Sequence, residues 1–339
     1  MTASGERIAI LGAGANGASI GADLIAAGLD VTLIEQWPAH VEAMRSHRLL
    51  IRMPDREVTV EPYVVHLCEV AELRHPFDVV LVVMKAYDTR WAAELIAPHI
   101  ADDGIVAAVQ NGMTTDAVAA AVGEHRATGT VIEVSATMTE PGRVDRHTPP
   151  ERSWFAVDDD PRGERVGELL RHAGRVDMFA DIGSAKWMKL VSNASVLVPT
   201  AALGLPMLDA IRVAGMRELM LAAGREALAV GRARGHGIPP IFGLTPADVA
   251  DESGVVETML DALYERFVVA GATTTVLQDW TKGRHSEVDD LNGLVVNEGA
   301  RLGIPTPANA AVVEVAHRIE RGVLDPRPEN AALLTSSVQ

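Results

Sequence analysis

Two lysines and an asparagine stand three and four residues apart in the second half of the chain, at Lys186, Lys189 and Asn193. Residues with these spacings share one face of a helix. A lysine held in such a position can act as a general acid toward a carbonyl oxygen. The same pattern is also typical of a solvated polar helix face, so the spacing alone leaves both interpretations open.

A glycine-rich turn near the N-terminus predicts a nucleotide site. It covers residues 12–17 and follows the apolar stretch Arg7–Leu11, which predicts a strand buried on both faces. Gly12 permits the tight turn, Gly14 lets the backbone approach a pyrophosphate, and Gly17 lets the next helix pack closely on the strand. The diphosphate would then lie at the helix N-terminus. The residues assigned to this site are Gly12, Gly14, Ala15, Asn16 and Gly17.

An acidic residue closes the second predicted strand. Glu35 follows Val31–Ile34 and lies 23 positions after Gly12. A carboxylate at this place can accept a hydrogen bond from a ribose 2′-hydroxyl. This context favours a dinucleotide site over an ordinary strand–helix–strand unit with a glycine turn.

Two further polar residues follow predicted strands. Lys85 comes directly after Asp78–Met84, and Asn111 comes shortly after Gly104–Val109. Open α/β sheets bind ligands at the C-terminal ends of their strands. Lys85 is therefore placed for a cofactor phosphate or ribose, and Asn111 for nicotinamide or substrate. A solvated loop lysine and a simple Asn-Gly turn are the alternatives.

The polar stretch from residue 273 to 293 is the other unusual segment. The hydroxyls of Thr273–Thr275 could bind a carboxylate. Ser286 and Asp289 resemble a capping box, which would place Glu287 in the first turn of a helix. The residues alone allow both this structural role and a role in a site.

The order of the predicted elements indicates an α/β fold in two domains. A doubly wound sheet is expected over residues 1–181, an all-α domain over 182–325, and a loosely ordered tail over 326–339. Within the sheet domain, Leu49–Met53 and Val58–Val65 predict two short strands of a hairpin. The helices predicted in the second half are Ser184–Leu197, Asp209–Arg234, Thr258–Ala270, Ser286–Leu302 and Ala308–Arg321.

Composition narrows the function classes. The 339 residues carry a formal net charge of −16, which argues against nucleic acids and anionic membranes as partners. No apolar run is long enough to span a membrane, and the N-terminus lacks a signal-peptide pattern. The single cysteine, Cys68, fits a cytoplasmic protein. The scattered histidines show no metal-binding spacing, so no metal is expected.

These segments together resemble the ketopantoate reductase (2-dehydropantoate 2-reductase) family. The resemblance covers nearly the whole chain and depends on the order and spacing of its motifs. It implies an N-terminal Rossmann-type domain, a helical C-terminal domain and, as is frequent in the family, a homodimer. The motifs are Leu11–Gly17, Val83–Ala86, Gln110–Met113, Lys186–Asn193, Leu277–Asp289, Asn292–Gly293 and Gly303–Pro307.

The resemblance also implies individual roles. The family's cofactor lysine and asparagine match Lys85 and Asn111. Its catalytic lysine matches Lys189, and its other active-site residues match Asn193 and Glu287. The implied reaction is hydride transfer from a nicotinamide to the C2 carbonyl of a 2-oxo acid, with Lys189 protonating or polarising the developing alkoxide.

Three positions depart from the family pattern and concern the substrate. Leu197 and Ala272 replace asparagines, and Thr275 replaces a serine. We assign these three residues to substrate binding. Because a pocket that hydrogen-bonds a substrate hydroxyl discriminates strongly, loss of two amides predicts a more apolar substrate tail than that of ketopantoate.

The cofactor preference is expected to differ as well. Typical family members use NADPH and carry a basic residue just after the second strand. Here Glu35 is followed by Gln36 and Trp37. A carboxylate repels a 2′-phosphate and binds a 2′-hydroxyl, so NAD(H) is predicted over NADP(H).

The sequence thus predicts a nicotinamide-dependent oxidoreductase acting on a 2-oxo acid. A 2-hydroxy acid dehydrogenase working in the oxidative direction would use the same residues. A non-catalytic nucleotide-sensing protein and an enzyme acting on a 3-hydroxy acid or an imine are the other hypotheses. The joint presence of Lys189, Asn193 and Glu287 disfavours the sensing protein, which would need none of them.

Overall fold

The computed structural model describes residues 5–336, and the chain divides after Ile182 into two compact units. The first unit contains an eight-stranded sheet in the order β12-β11-β8-β7-β6-β1-β2-β5. The strands are β1 Arg7–Leu11, β2 Asp30–Glu35, β3 Leu49–Arg52, β4 Glu57–Val60, β5 Tyr63–His66, β6 Phe77–Val82, β7 Ile100–Val109, β8 Ala127–Glu133, β9 Ala136–Glu140, β10 Arg143–Arg146, β11 Trp154–Asp158 and β12 Arg175–Phe179.

Strand β1 is an interior strand of this sheet, sixth of the eight in order. It pairs in parallel with β2 on one side and with β6 on the other. The chain first adds β2 on one side of β1 and later adds β6 on the opposite side, so the strand order reverses at β1. Ile8 and Ile10 lie in one apolar cluster, whereas Ala9 and Leu11 lie in another. The predicted strand buried on both faces is confirmed, and ligands bind at such a reversal point in open α/β sheets.

Helices cover the sheet, which confirms the predicted α/β class. In the order of the sheet, the neighbouring strands from β5 at one edge to β8 all pair in parallel. Strand β11 pairs antiparallel with β8, so the sheet is mixed. The helices of this unit are α1 Ala15–Ala26, α2 Pro38–His47, α3 Thr89–Ile96, α4 Thr115–Val122 and α5 Pro161–Leu170.

A second, four-stranded sheet in the order β4-β3-β10-β9 was not predicted. Strands β3 and β4 form the expected hairpin. The predicted single strand Val58–Val65 is wrong, because Glu61 and Pro62 separate β4 from β5. Strand β5 instead extends the main sheet by pairing with β2.

The second unit is helical, as predicted, and residues 183–336 contain no strand. Several predicted helices differ from the structure in extent. The helix expected over Thr258–Ala270 covers Val255–Arg266. Gly215, with φ of +80°, separates α7 from α8, so the helix expected over Asp209–Arg234 is broken. The helix expected from Ser286 begins only at Asn292. The helices are α6 Ile182–Ala201, α7 Met207–Ala210, α8 Met216–Ala233, α9 Val255–Arg266, α10 Thr275–Thr281, α11 Asn292–Leu302, α12 Pro307–Glu320 and α13 Ala331–Thr335.

The prediction of a loosely ordered tail is wrong for the residues up to 336; residues 337–339 lie outside the described part. Asn330 is buried, and its side-chain amide donates to Ala202 O and Asp325 O, both at 2.9 Å. Leu334 of α13 is fully buried. Buried contacts therefore hold the C-terminal helix in place. Among the described residues, no helix combines the length and apolar character that crossing a membrane requires.

Candidate active site

The glycine-rich turn follows the C-terminal end of β1. Gly12 has a φ of +98°, and its N–H donates to Ile34 O at 2.9 Å. A Cβ at Gly12 would lie 2.4 Å from Met84 Cγ, and a Cβ at Gly17 would lie 2.0 Å from Gly12 O. Because these approaches leave no space for a side chain, both positions require glycine.

The N-terminus of α1 is open toward a ligand. Gly14 is the residue that precedes the helix, and no side chain caps the helix there. A Cβ at Gly14 would meet no atom within 4 Å, unlike one at Gly12. Asn16, in the first turn, has a buried Oδ1 without a hydrogen-bond partner. The uncapped N–H groups beginning at Ala15 fit the diphosphate of a dinucleotide.

Glu35 ends β2 as a buried, oriented carboxylate. Its Oε1 accepts hydrogen bonds from the N–H groups of Gln36 and Trp37, both at 2.9 Å. The next arginine or lysine along the chain, Arg45, donates to Val64 O and to Glu69. The segment after β2 therefore presents negative charge, and its first arginine is engaged elsewhere.

Sequence reasoning missed His40 of α2, which is fully buried. Its Nδ1 accepts from the N–H of Gly142 at 2.8 Å, so the ring proton lies on Nε2, which donates to Ala13 O at 3.0 Å. Burial lowers the pKa of His40 and favours this neutral form. The imidazole thus joins the glycine-rich turn to the β9–β10 turn. A lone histidine gives no sequence signal of such a role.

Lys85 and Asn111 lie on neighbouring loops, after β6 and β7. Gln110 connects the two loops: its Nε2 donates to Met84 O at 2.9 Å and lies 2.9 Å from Thr89 Oγ1. Both predicted cofactor residues are partly exposed. The buried amide of Gln110 therefore fixes the backbone that carries them, a role the sequence did not indicate.

The polar residues of α6 are buried, which excludes the solvated-face interpretation. Lys186, Lys189 and Asn193 are 3%, 8% and 1% exposed. Burying a lysine costs free energy unless other groups stabilise its charge. Their burial on one helix face is therefore typical of a site rather than of a surface.

Trp187 fixes this helix against α8. Its Nε1 donates to Ala227 O at 2.9 Å, and its ring stacks on His236 with 4.9 Å between centroids. A Cβ at Gly231 would lie 2.0 Å from Trp187 Nε1, so glycine is required for this approach. The tryptophan of the motif is a packing residue that sets the orientation of Lys189.

Glu287 lies in a turn between α10 and α11, and its side chain is only 4% exposed. The capping-box interpretation is wrong, because Ser286 hydrogen-bonds Glu320 through its N–H at 3.0 Å and its Oγ at 2.6 Å. Four residues separate Glu287 from Asn292, where α11 begins. Glu287 therefore does not lie in the first turn of that helix.

The turn with Glu287 also carries a carboxyl with a raised pKa. Partial burial, together with the nearby Glu287 and Asp289, raises the pKa of Asp290 to about 6. The turn is tied to α6 by Asn292, whose Nδ2 donates to Ala194 O at 2.9 Å and Asn309 Oδ1 at 2.8 Å. Ala194 follows Asn193, so the turn and the polar face of α6 are held together.

The three positions that depart from the family pattern lie on α6 and on a segment that is hydrogen-bonded to it through Thr274. Leu197 lies two turns after Lys189, and its carbonyl accepts from Thr274 Oγ1 at 3.0 Å. Thr275 Oγ1 is buried without a hydrogen-bond partner. Ala272 is partly exposed and accepts from Met207 N–H at 2.9 Å. The loop with Ala272 and Thr275 is thus anchored beside Leu197.

Family models match both parts of this chain. The model for ketopantoate reductase PanE/ApbA matches residues 8–159, and the model for the ketopantoate reductase PanE/ApbA C terminal matches residues 181–320. The chain belongs to the ketopantoate reductase family. Members of this family are nicotinamide-dependent oxidoreductases that reduce 2-oxo acids, so the predicted family and class of activity are confirmed.

Related ketopantoate reductases align with this chain over nearly its full length. The 2-dehydropantoate 2-reductase of Caulobacter vibrioides is 30% identical over 318 residues, which cover 90% of this chain and 96% of that protein. The 2-dehydropantoate 2-reductase of Archaeoglobus fulgidus is 27% identical, with 94% and 99% covered.

Solved structures share the fold. The PanE/ApbA family ketopantoate reductase from Ralstonia eutropha JMP134 superposes with a TM-score of 0.80 at 27% identity, covering 93% of this chain and 99% of that one. The structure of D-mandelate dehydrogenase with NADH and anilino(oxo)acetate has a TM-score of 0.81 at 20% identity, with 94% and 99% covered. At that identity the second likeness concerns the fold alone.

Proposed function

We propose that this protein is an NAD(H)-dependent reductase of 2-oxo acids whose tail is more apolar than that of ketopantoate. One observation carries the proposal: the second unit buries Lys189, Asn193 and Glu287, the three residues that the reaction needs. A protein that only senses a nucleotide would gain nothing from burying this set.

The first unit would hold the dinucleotide, which supplies the hydride when bound. Its diphosphate fits the uncapped N-terminus of α1, at Gly14, Ala15 and Asn16, because Gly14 faces open space. Gly12 and Gly17 keep the turn in shape. Lys85 and Asn111 would contact the cofactor from the loops after β6 and β7.

Preference for NAD(H) is inferred from Glu35. Two backbone N–H groups hold its carboxylate at the end of β2. A ribose 2′-hydroxyl can donate to this group, whereas a 2′-phosphate would be repelled. Arg45, the first arginine after Glu35, is committed to Glu69 and Val64 O and gives no compensating charge.

The proton would come from Lys189. Its ammonium would donate a hydrogen bond to the oxygen of the substrate's C2 carbonyl. It would then transfer the proton to that oxygen as negative charge develops there. Asn193, one turn further along α6, would hold the same substrate. Glu287 would orient the Lys189 ammonium or a substrate hydroxyl. The oxidative direction, from 2-hydroxy acid to 2-oxo acid, would use the same groups in reverse.

The substrate tail would contact Leu197 and Ala272, which offer no hydrogen-bonding side chain. Thr275 would supply the polar contact, since its buried Oγ1 has no partner. An unsatisfied buried hydroxyl costs about 1–3 kcal/mol, which a substrate carboxylate or hydroxyl would relieve. This combination favours an alkyl or aryl tail.

A cytoplasmic homodimer completes the proposal. Cys68 is exposed and forms no disulfide, which fits a reducing compartment. In the helical unit, Val323 and Leu333 are large apolar residues that remain exposed, as expected where a second copy would pack. Size-exclusion chromatography with light scattering measures this assembly directly.

A substrate panel tests the function. Purified protein is mixed with NADH or NADPH and 2-oxo acids of graded tail, and nicotinamide absorbance is followed. We expect turnover with NADH, and a kcat/KM for alkyl or aryl tails above that for ketopantoate. Turnover only with NADPH and ketopantoate would contradict both the preference for NAD(H) and the preference for an apolar tail. No turnover with any 2-oxo acid would contradict the proposed function.

A further inference from the structure

A strained phenylalanine lies beneath the proposed proton donor. Phe242, in the segment between α8 and α9, has a φ of +58°. Among the described residues, Arg48 is the only other non-glycine residue with a positive φ, and it is exposed at the end of α2. A bulky residue in the left-handed region costs free energy.

The surrounding residues hold Phe242 in this conformation. Arg266 Nη1 donates to Phe242 O at 2.8 Å, and the ring of Phe267 lies 5.4 Å from the Phe242 ring. The Phe242 side chain is only 1% exposed. Glycine or asparagine would adopt the same backbone conformation with less strain, so the benzyl side chain itself must serve a purpose.

The segment that ends in Phe242 follows α6 closely. Ser184 Oγ accepts from Gly237 N–H at 2.7 Å, and His236 stacks on Trp187. Further along, the Nζ of Lys189 lies over the Phe242 ring, 5.1 Å from its centroid. Contacts at three places on one helix therefore fix the ring beneath the ammonium.

We propose that Phe242 is a positioning residue, whose aromatic face holds the Lys189 ammonium in place for proton transfer. This inference depends on the proposed function, because it assigns Phe242 a role through Lys189. The physical basis is the negative face of the aromatic ring, which attracts a cation within about 6 Å. The attraction is strongest where water is excluded, as it is at these two buried side chains.

An aliphatic residue would remove this electrostatic term but would also change the packing, because it is smaller than phenylalanine. The test must therefore separate the ring's charge distribution from its shape. Fluorine atoms withdraw electron density from the ring face and change its size little. A graded series of fluorinated phenylalanines at position 242 consequently weakens the interaction stepwise, while packing is nearly retained.

The experiment measures kcat for such a series, with one, three and five ring fluorines, using the fastest 2-oxo acid of the panel. We expect kcat to fall with each step, to a total of about tenfold, whereas the KM for NADH stays constant. The same series at Phe267 is the control, because that ring contacts Phe242 and is of the same type. There we expect kcat to stay within about twofold.

Equal kcat values across the Phe242 series, or an equal decline in both series, would overturn the inference. Phe242→Leu adds a second test: kcat should fall about tenfold and the melting temperature should fall, because leucine fills less of the space, while NADH affinity should change little. Lys189→Met separates this inference from the proposed function. If that variant keeps full activity, the function assigned to Lys189 fails; if it is inactive while the fluorinated series is flat, only the role of Phe242 fails.

Discussion

The proposed sites at the glycine-rich turn and on helix α6 differ in kind. At the turn, the backbone would make the contacts, because missing Cβ atoms and uncapped N–H groups leave space and charge that suit a diphosphate. On α6, side chains would make the contacts, from buried lysines and an asparagine held by tight helix packing. At the turn, substitutions are therefore limited by the space that a side chain would occupy. On α6, they are limited by the functional group that the side chain carries.

The sharpest test of this difference is Lys189→Met, which keeps most of the aliphatic side chain and removes the ammonium. We expect kcat to fall about 10³-fold, because general acid catalysis contributes on the order of 10²–10⁴. NADH affinity, measured by fluorescence titration, should stay within about twofold of wild type. Lys186→Met, one turn earlier and also buried, is the matched control and should retain far more activity.

At the turn, Gly14→Ala and Gly17→Ala should separate binding from stability. The Cβ at Gly14 enters open space, so this variant should fold normally yet bind NADH about 100-fold more weakly, because the methyl group blocks the diphosphate. The Cβ at Gly17 would meet Gly12 O, so that variant should also melt at a lower temperature. Calorimetry and NADH titration measure both; normal NADH affinity of Gly14→Ala would place the diphosphate elsewhere.

Glu35→Gln, at the end of β2, tests the predicted preference for NAD(H). Glutamine keeps an acceptor oxygen for Gln36 N–H and Trp37 N–H but removes the charge. The ratio of kcat/KM for NADPH to that for NADH should rise about tenfold, or ~1.4 kcal/mol. Glu42→Gln, on the exposed side of α2, should leave the ratio unchanged. If the wild-type enzyme already prefers NADPH, the NAD(H) preference inferred from Glu35 is refuted.

Leu197→Asn tests the substrate claim on α6. The new amide should favour hydroxylated 2-oxo acids and disfavour alkyl-tailed ones. We expect the ratio of their kcat/KM values to shift by several-fold, on the order of 5–10. Leu197→Met keeps an apolar side chain and should leave the ratio nearly constant. If both variants behave alike, Leu197 does not contact the substrate tail.

The smallest expected effect concerns Asp290. Its pKa is about 6 in the folded protein, against an unfolded value of about 3.9, so the folded state binds more protons between these values. This carboxyl therefore lowers stability as pH rises from about 4 to 6. Asp290→Asn should gain about 1 kcal/mol at pH 8, allowing for solvent screening at a half-buried site, and nothing near pH 4.

Urea unfolding of Asp290→Asn and wild type at several pH values measures this gain. Asp289→Asn is the control, because Asp289 is exposed and pairs with His317 at 2.9 Å. A gain from Asp290→Asn that does not depend on pH would show that the carboxyl is ionised throughout the range.

Local patterns explain what the sequence could predict. The strand, turn and helix from Arg7 to Ala26, and Glu35 after β2, follow from neighbouring residues and from glycine stereochemistry. The second sheet does not, because β10 pairs with β3 across about ninety residues, as at Arg143 and Leu50. Long-range pairing of this kind leaves no local periodicity.

In the candidate site, too, some features follow from the local sequence and others depend on distant contacts. Spacing alone placed Lys186, Lys189 and Asn193 on one helix face, but their burial depends on packing that no local pattern contains. Ser286 gave a false helix start, because its partner Glu320 lies 34 residues away. His40 and Phe242 were missed, since a buried histidine bridge and a left-handed phenylalanine have no sequence signature.

The central claim is hydride transfer to the C2 carbon of a 2-oxo acid with an apolar tail. The most direct measurement uses NADH with deuterium at both positions of nicotinamide C4, the wild-type protein and such an acid, with mass spectrometry of the product. The account predicts a 2-hydroxy acid that carries one deuterium at C2. A product without deuterium at C2, or no 2-hydroxy acid at all, would contradict it.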